Sequence, residues 1–253
     1  MTEMSPPLPP PPSTPTVRIG DWFNEATDRI KPAWTDYLVA GLVTMIAMIA
    51  SALLCYIPYF IVGGPLVAGF FIYNARKMLG QPAEIAHLFK GFSKFSETLL
   101  LWLVLILPPV LVYLLAWLPG LLQSFGMGRF GEVMGGIAGC IGCIGIPIFG
   151  IIYPIIVGTL CVFAFPLVLF KNMDAIGALK KSIEVVKPNF MQFLLLWLAC
   201  ILVVFVAEIA GLIACVIGLF VTMPLAGAIV ANIQLQAYRD FFGLSPDDVQ
   251  QYN

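Results

Sequence analysis

Long stretches without a charged residue constrain this chain more than any other feature of its sequence. No Asp, Glu, Lys or Arg occurs from position 37 to 75, or from 133 to 170. A helix rises about 1.5 Å per residue, so 37–75 is long enough to cross a hydrocarbon core about 30 Å thick twice. Only 11% of all residues are charged, whereas soluble domains have about 25%. The sequence therefore predicts an all-α, polytopic membrane protein.

The distribution of basic residues predicts the number of crossings. Residues 133–170 allow one crossing or two, and cytoplasmic loops carry the excess of Lys and Arg. With one crossing and a cytoplasmic N-terminus, twelve of the 13 basic residues are cytoplasmic and Arg129 alone is external. With two crossings, seven basic residues are cytoplasmic and six are external. We therefore expect six crossings with both termini cytoplasmic, and residues 133–145 either extend the fourth span or form a re-entrant turn. The predicted spans are 37–56, 59–77, 98–122, 147–170, 190–209 and 212–235, with a tight turn at Ala210–Gly211 before the last.

Two charged amphipathic segments, 82–95 and 174–187, lie on the predicted cytoplasmic side. Their apolar residues recur at helical spacing: Ile85, Leu88, Phe89, Phe92 and Phe95 in the first, and Ile176, Leu179, Ile183 and Val186 in the second. Asp174 suits the N-cap of the second helix. Both are too short and too charged to span, so we expect interfacial helices that bind anionic lipid. The candidate lipid-headgroup contacts are Lys90, Lys94, Lys180, Lys181 and Lys187.

The order of span, amphipathic segment and span occurs twice, in 65–107 and in 166–202. Residues 99–107 and 194–202 are identical at seven of nine positions, LLLWL followed by two variable residues and IL. Because both amphipathic segments are expected on the same side, the two units are predicted to be parallel repeats. Trp102 and Trp197 are then expected at matching depths.

The predicted domain organisation has three parts. Residues 1–17 contain seven prolines and are expected to form a disordered tail, because this composition provides little apolar surface to bury. Residues 18–240 form a single transmembrane domain, and 241–253 a short cytoplasmic tail. At the start of the domain, 19–30 has one apolar face, which is expected to rest in the membrane interface or to pack on protein.

No pattern of residues indicates catalysis or metal binding. His87 is the single histidine, and Cys140 and Cys143 have no second CxxC motif and no nearby histidine. These residues are expected to pack, and no cofactor or metal is predicted. Asn74 is expected to bond a neighbouring helix or a backbone carbonyl, and Glu208 to face headgroups or water. A net charge of −1 gives no indication of a nucleic-acid partner.

Residues 165–198 carry a resemblance to a known group of proteins. Ala164 and Pro166 precede the end of an apolar helix, 178–182 reads Ala-Leu-Lys-Lys-Ser, and Asn189–Phe190 lead into the next span. This order resembles uncharacterised bacterial inner-membrane proteins of six helices, which are similar to the membrane domain attached to some glycerophosphodiester phosphodiesterases. The resemblance covers most of 37–240 and implies a fold and an inner-membrane location. The catalytic domain of those enzymes has no counterpart in the sequence.

These observations favour a non-enzymatic membrane scaffold or regulatory module that interacts with lipid, with partner proteins or with further copies of itself. The alternative is a small-solute transporter or channel, because internal repeats and the kink expected at Pro108–Pro109 suit alternating access. A membrane-embedded enzyme requires a cleft with clustered His, Asp or Glu side chains. One histidine and few carboxylates within the spans argue against that third class.

Overall fold

The structure is a computed structural model that describes residues 16–54, 57–124, 145–214 and 217–252. The described residues are mainly helical. In chain order they are α1 (Ile19–Ile30), α2 (Trp34–Leu53), α3 (Ile57–Met78), α4 (Phe95–Ser124), α5 (Tyr153–Leu160), α6 (Ala164–Phe170), α7 (Ala175–Val186), α8 (Phe190–Ile213), α9 (Leu219–Phe242) and α10 (Pro246–Gln250). Short 3-10 helices occur at Lys31–Ala33, Ile85–Lys94 and Lys187–Asn189, and a π-helical turn, Ile148–Ile152, precedes α5. No strand occurs in the described ranges.

Within the described ranges, six helical runs are long and apolar enough to cross a membrane. They are Ile19–Leu53, Ile57–Met78, Ile85–Leu118, Gly145–Phe170, Ala175–Ile213 and Leu219–Phe242. The predicted all-α polytopic class with six spans is confirmed. The described part of 133–170 contributes one span, whereas 133–144, with Cys140 and Cys143, lies outside the described residues. The Pro-rich residues 1–15 also lie outside them.

The turn predicted at Ala210–Gly211 is wrong. Both residues lie within α8, which continues to Ile213, and α9 begins at Leu219. A Cβ atom added to Gly211 would lie 2.6 Å from Leu219 Cδ2 and 2.7 Å from Thr222 Oγ1. The glycine therefore marks a place where α8 and α9 pack closely, as small residues do between membrane helices.

The buried core lies at one end of the bundle. Every residue of α6 and every residue from 231 to 240 on α9 is buried. The largest fully buried side chains include Trp22, Tyr37, Phe163, Phe193 and Tyr238. The other end of the bundle exposes large apolar side chains, among them Leu53, Leu114, Trp117, Ile151, Leu202, Ile213 and Ile217. Such a surface suits lipid acyl chains, so the packed core lies toward one face of the membrane.

A matching contact occurs in both predicted repeat units. A Cβ atom added to Gly63 would lie 2.3 Å from Trp102 Nε1, and one added to Gly158 would lie 2.6 Å from Trp197 Nε1. Gly158 follows Gly63, and Trp197 follows Trp102, by 95 residues. In each unit an indole ring thus lies against a glycine of the preceding span. This shared contact supports the predicted repeat; superposition of the two units remains a prediction.

The N-terminal helix packs on protein, which was one of the two alternatives for 19–30. Trp22, Ala26 and Ile30 form its buried face, and α9 is its main neighbour. Phe23, one residue after Trp22, is 38% exposed. The apolar face therefore contributes to the core rather than to a lipid contact.

The C-terminal segment also packs on the core, which the sequence did not predict. Gly243 adopts a φ of +71°, a conformation that glycine enters without a steric cost, and turns the chain into α10. Tyr252 Oη donates to Leu169 O at 2.7 Å, and Arg76 Nη1 donates to Val249 O at 3.2 Å. Burial raises the pKa of Tyr252, which keeps this phenol a neutral donor.

Candidate functional site

A row of phenylalanines lies on the outer surface of the Ile85–Lys94 helix and continues to the first residue of α4. Phe89, Phe92 and Phe95, named here the Phe row, are 50%, 37% and 39% exposed. The helix is of the 3-10 type, in which residues three apart align, and the rings of Phe92 and Phe95 stack with centroids 6.4 Å apart. Leu88 was predicted to share this face but is 1% exposed, because a three-residue period separates it from the Phe row.

Glycines hold this helix directly against α3. A Cβ atom added to Gly69 would lie 1.6 Å from Leu88 O, and one added to Gly91 would lie 2.0 Å from Pro65 O. The two backbones therefore meet where no larger side chain fits. His87 is buried here, and its Nδ1 accepts from Glu84 N at 2.9 Å. This bond caps the first turn, a structural role for the single histidine.

The second amphipathic segment forms α7 and is anchored through Ser182. The Ser182 hydroxyl donates to Leu160 O at 2.6 Å and accepts from Phe163 N at 3.3 Å. At its start, Asp174 accepts from Gly177 N at 3.1 Å, which confirms the predicted N-cap. Ile176 and Ile183 are exposed, whereas Val186, predicted on the same face, lies in the core.

Four of the five candidate lysines lie on two separate elements that both contact α4, and Lys187 directly follows the second of these elements. Lys90 and Lys94 lie on the Ile85–Lys94 helix and are half-buried. Lys180 on α7 and Lys187 just after it are exposed, and Lys181 forms an ion pair of 3.1 Å with Glu184. The structure therefore brings basic groups beside exposed apolar side chains on both segments. Contact with lipid remains a prediction.

A buried polar cluster lies between α1 and the end of α9. Its centre is the carboxylate of Asp240, which is fully buried and accepts from Arg18 Nη2 at 2.5 Å and from Trp22 Nε1 at 2.8 Å. The hydrogen bond and charge of Asp240 raise the pKa of Arg18. Arg239 reaches Asp240 at 3.2 Å and Glu25 at 3.3 Å. The charges of the first and last long helices are thus paired with each other inside the protein.

A row of amides extends this cluster along α9. Asn232 Nδ2 donates to Asn74 Oδ1 at 2.9 Å, and Asn74 Nδ2 donates to Phe70 O at 2.7 Å, which confirms the role predicted for Asn74. One turn further on α9, Gln236 is completely buried. Neither polar atom of its amide has a hydrogen-bond partner among the described residues. Buried amides are normally bonded, so Gln236 calls for an explanation.

The polar cluster was not predicted from the sequence, although the residue pattern of α9 indicates it. Asn232, Gln236, Arg239 and Asp240 recur at helical spacing on an otherwise apolar helix, and this spacing places them on one face. The predicted last span, 212–235, ends before Gln236, Arg239 and Asp240. A polar face on a spanning helix indicates a network of hydrogen bonds and ion pairs inside the protein.

Glu208 and the two described cysteines lie apart from the polar cluster. Glu208 is exposed on α8, and Cys161 and Cys200 are free thiols. Within the described part of the chain, no three His, Cys, Asp or Glu side chains are placed to hold a metal ion. Comparison with protein-family models, with curated proteins and with solved structures finds no match to the chain.

Proposed function

We propose that this protein is a non-enzymatic module of a bacterial inner membrane, a scaffold or regulator that reads the anionic lipid of the cytoplasmic leaflet. The observation that carries the proposal is the Phe row. Phe89 and Phe92 lie on a short helix that glycine contacts fix against α3, and Phe95 follows it as the first residue of α4. Phenylalanine on the apolar face of an amphipathic helix buries at the boundary between lipid headgroups and acyl chains.

The neighbouring charges support the same proposal. Lysines flank the exposed apolar residues on both the Ile85–Lys94 helix and α7. A basic residue near an anionic membrane surface contributes about 1 kcal/mol of attraction. Because both elements are anchored in the core, lipid composition at the surface can bias the packing of the helices beneath it. A module of this kind would transmit the state of the leaflet to a partner protein.

Neutralising the lysines of the second segment tests the lipid contact. Lys180→Gln, Lys181→Gln and Lys187→Gln, combined in the full-length protein, are expected to weaken retention of phosphatidylglycerol by at least about tenfold, since three charges near the surface are lost. Bound lipid is counted by native mass spectrometry after detergent extraction at low and high salt. The difference between wild type and variant should shrink at high salt, because salt screens exposed charges.

Two control proteins separate charge from aromatic contact. Lys31→Gln removes an exposed charge that is already paired with Asp28 at 2.7 Å and should leave lipid retention unchanged. Phe89→Ala combined with Phe92→Ala should lower lipid retention at low salt and at high salt alike, because the lost contact is apolar. Equal lipid retention in the wild type, the triple lysine variant and the phenylalanine variant would contradict the proposal.

The orientation of the chain is tested by reporter fusions. Fusions after Lys90, Lys181 and Asn253 are all expected to report the cytoplasm, because the division of basic residues places these sites inside. The measurement is the activity of paired reporters, one active only in the cytoplasm and one only outside it. An external signal at Lys181 would place the second amphipathic segment on the wrong side for this proposal.

A further inference from the structure

The unpartnered amide of Gln236 lies level with Arg29. α3 and α9 are the second and sixth spans and therefore run in the same direction. Asn74 bonds Asn232, so Met78, four residues after Asn74, lies at the level of Gln236. Arg29 Nη1 donates to Met78 O at 3.0 Å. Arg29 thus reaches the level of Gln236 from the end of α1.

Several side-chain N–H groups at this level have no hydrogen-bond acceptor among the described residues. They are Arg29 Nε, Arg239 Nη1 and Gln236 Nε2. Arg239 Nη2 donates to Glu25 Oε2 at 3.3 Å, and Glu25 lies one helical turn before Arg29 on α1. Both Gln236 and Arg239 are more than nine-tenths buried. Two guanidinium groups and an amide therefore present N–H groups to the same region between α1, α3 and α9.

The charge balance of this region favours an anion. Three guanidinium groups, those of Arg18, Arg29 and Arg239, face two carboxylates within the cluster, Glu25 and Asp240. A third carboxylate, Asp21, is 61% exposed and pairs with Arg18 at 3.2 Å. Arg29 is thus the guanidinium of this region that forms no ion pair among the described residues. Each orphaned donor costs free energy that a ligand would recover. Arg29 is half-buried, which leaves the region reachable from the membrane surface.

We infer that Arg29, Gln236 and Arg239 form a binding site for an oxyanion of the phosphate type. Guanidinium groups bind phosphate oxygens with charge-assisted hydrogen bonds, often two at a time. The ligand also accounts for the orphaned acceptor of the amide, because a singly protonated free phosphate, or a glycerol hydroxyl of a phosphatidylglycerol headgroup, can donate to Gln236 Oε1. The phosphate is free in the cytoplasm or belongs to a lipid headgroup. This inference does not rest on the proposed lipid-reading function.

Thermal unfolding of the full-length protein in maltoside micelles tests the site. Sodium phosphate replaces sodium chloride at constant ionic strength, and intrinsic tryptophan fluorescence reports Tm. At phosphate concentrations about 100 times Kd, binding to the folded state should raise Tm by roughly 5 °C or more. In a second arm, phosphatidylglycerol is added to the micelles without free phosphate.

Gln236→Leu is the informative variant, with Gln234→Leu as its matched control. Gln236→Leu should fold, because it removes two unpartnered buried atoms and keeps the apolar volume. It should lose the rise in Tm, while Gln234→Leu, two residues away on another face of the same helix, should keep it. Arg29→Lys keeps the charge and a donor for Met78 O but lacks Nε, and should weaken phosphate binding by about tenfold.

The outcomes separate the sources of the ligand. A rise with inorganic phosphate alone, absent in Gln236→Leu, assigns the site to free phosphate. A rise with phosphatidylglycerol that Gln236→Leu removes, and the lysine variants keep, assigns it to a lipid headgroup. No rise in either arm of the wild-type titration, as expected if water fills the site, overturns the inference. A rise that Gln236→Leu retains overturns it equally.

Discussion

Gly69→Ala is expected to destabilise the protein by about 3 kcal/mol, the upper end of the usual range for overpacking. The added methyl group would lie 1.6 Å from Leu88 O, a backbone atom that cannot move without displacing the whole Ile85–Lys94 helix. For a chain of this size, Tm should fall by roughly 6–12 °C. The measurement is thermal unfolding of the purified protein in detergent, followed by tryptophan fluorescence.

Gly227→Ala is the matched control for that substitution. Gly227 also lies within a spanning helix, but the nearest atom to its added Cβ is Phe70 Cε1 at 3.8 Å, an ordinary contact. An alanine in a helix interior is favoured over glycine by about 1 kcal/mol, so Tm should stay level or rise. Similar values of Tm for the two variants would show that the close contact between α3 and the Ile85–Lys94 helix does not support the fold.

Asp240→Ala is expected to cost about 3–5 kcal/mol, the range seen when one member of a buried ion pair is removed. The substitution leaves Trp22 Nε1 without an acceptor and leaves Arg18 and Arg239 without their shared carboxylate. Both α1 and the end of α9 should loosen together. Thermal unfolding gives the loss of stability, and limited proteolysis shows whether α1 becomes accessible to cleavage.

Two further variants define the origin of that effect. Asp240→Asn can still accept from Trp22 Nε1 but carries no charge, so its Tm should lie between those of the wild type and Asp240→Ala. Asp28→Ala breaks an ion pair whose side chains are 70% and 73% exposed, and should change stability by less than about 1 kcal/mol. A small loss in Asp240→Ala, no greater than that in Asp28→Ala, would mean that the polar cluster contributes little to stability.

Local sequence patterns predict the features that depend on the chemistry of single residues or of near neighbours in the sequence. Runs without charge, together with the distribution of basic residues, predict the six spans, because a charged side chain in hydrocarbon is costly wherever the helix packs. Asp174 was recognisable as an N-cap because the cap bonds a backbone group three residues away. Asn74 was expected to bond a neighbouring helix or a backbone carbonyl, since an amide within a span must find such a partner.

The features that sequence did not predict depend on contacts between distant segments. Phe89, Phe92 and Phe95 are three residues apart, a spacing that fits an α-helix or a 3-10 helix. In the 3-10 helix, Gly91 packs against the backbone of Pro65, and Gly69 of α3 packs against the backbone of Leu88. The spacing of the phenylalanines indicates neither of these contacts. The same holds for the polar cluster, since nothing near Trp22 in sequence indicates that Asp240 will accept its hydrogen bond.

The pairing of α1 with α9 has a consequence for the biogenesis of this protein. Arg18 and Asp240 are separated by 222 positions, and a ribosome adds about 5–20 residues per second. The first helix therefore leaves the ribosome tens of seconds before its partner exists. During that interval Trp22 must reside elsewhere, and the membrane interface accommodates an indole ring well. Closure of the core around Asp240 therefore cannot precede translation of the final span.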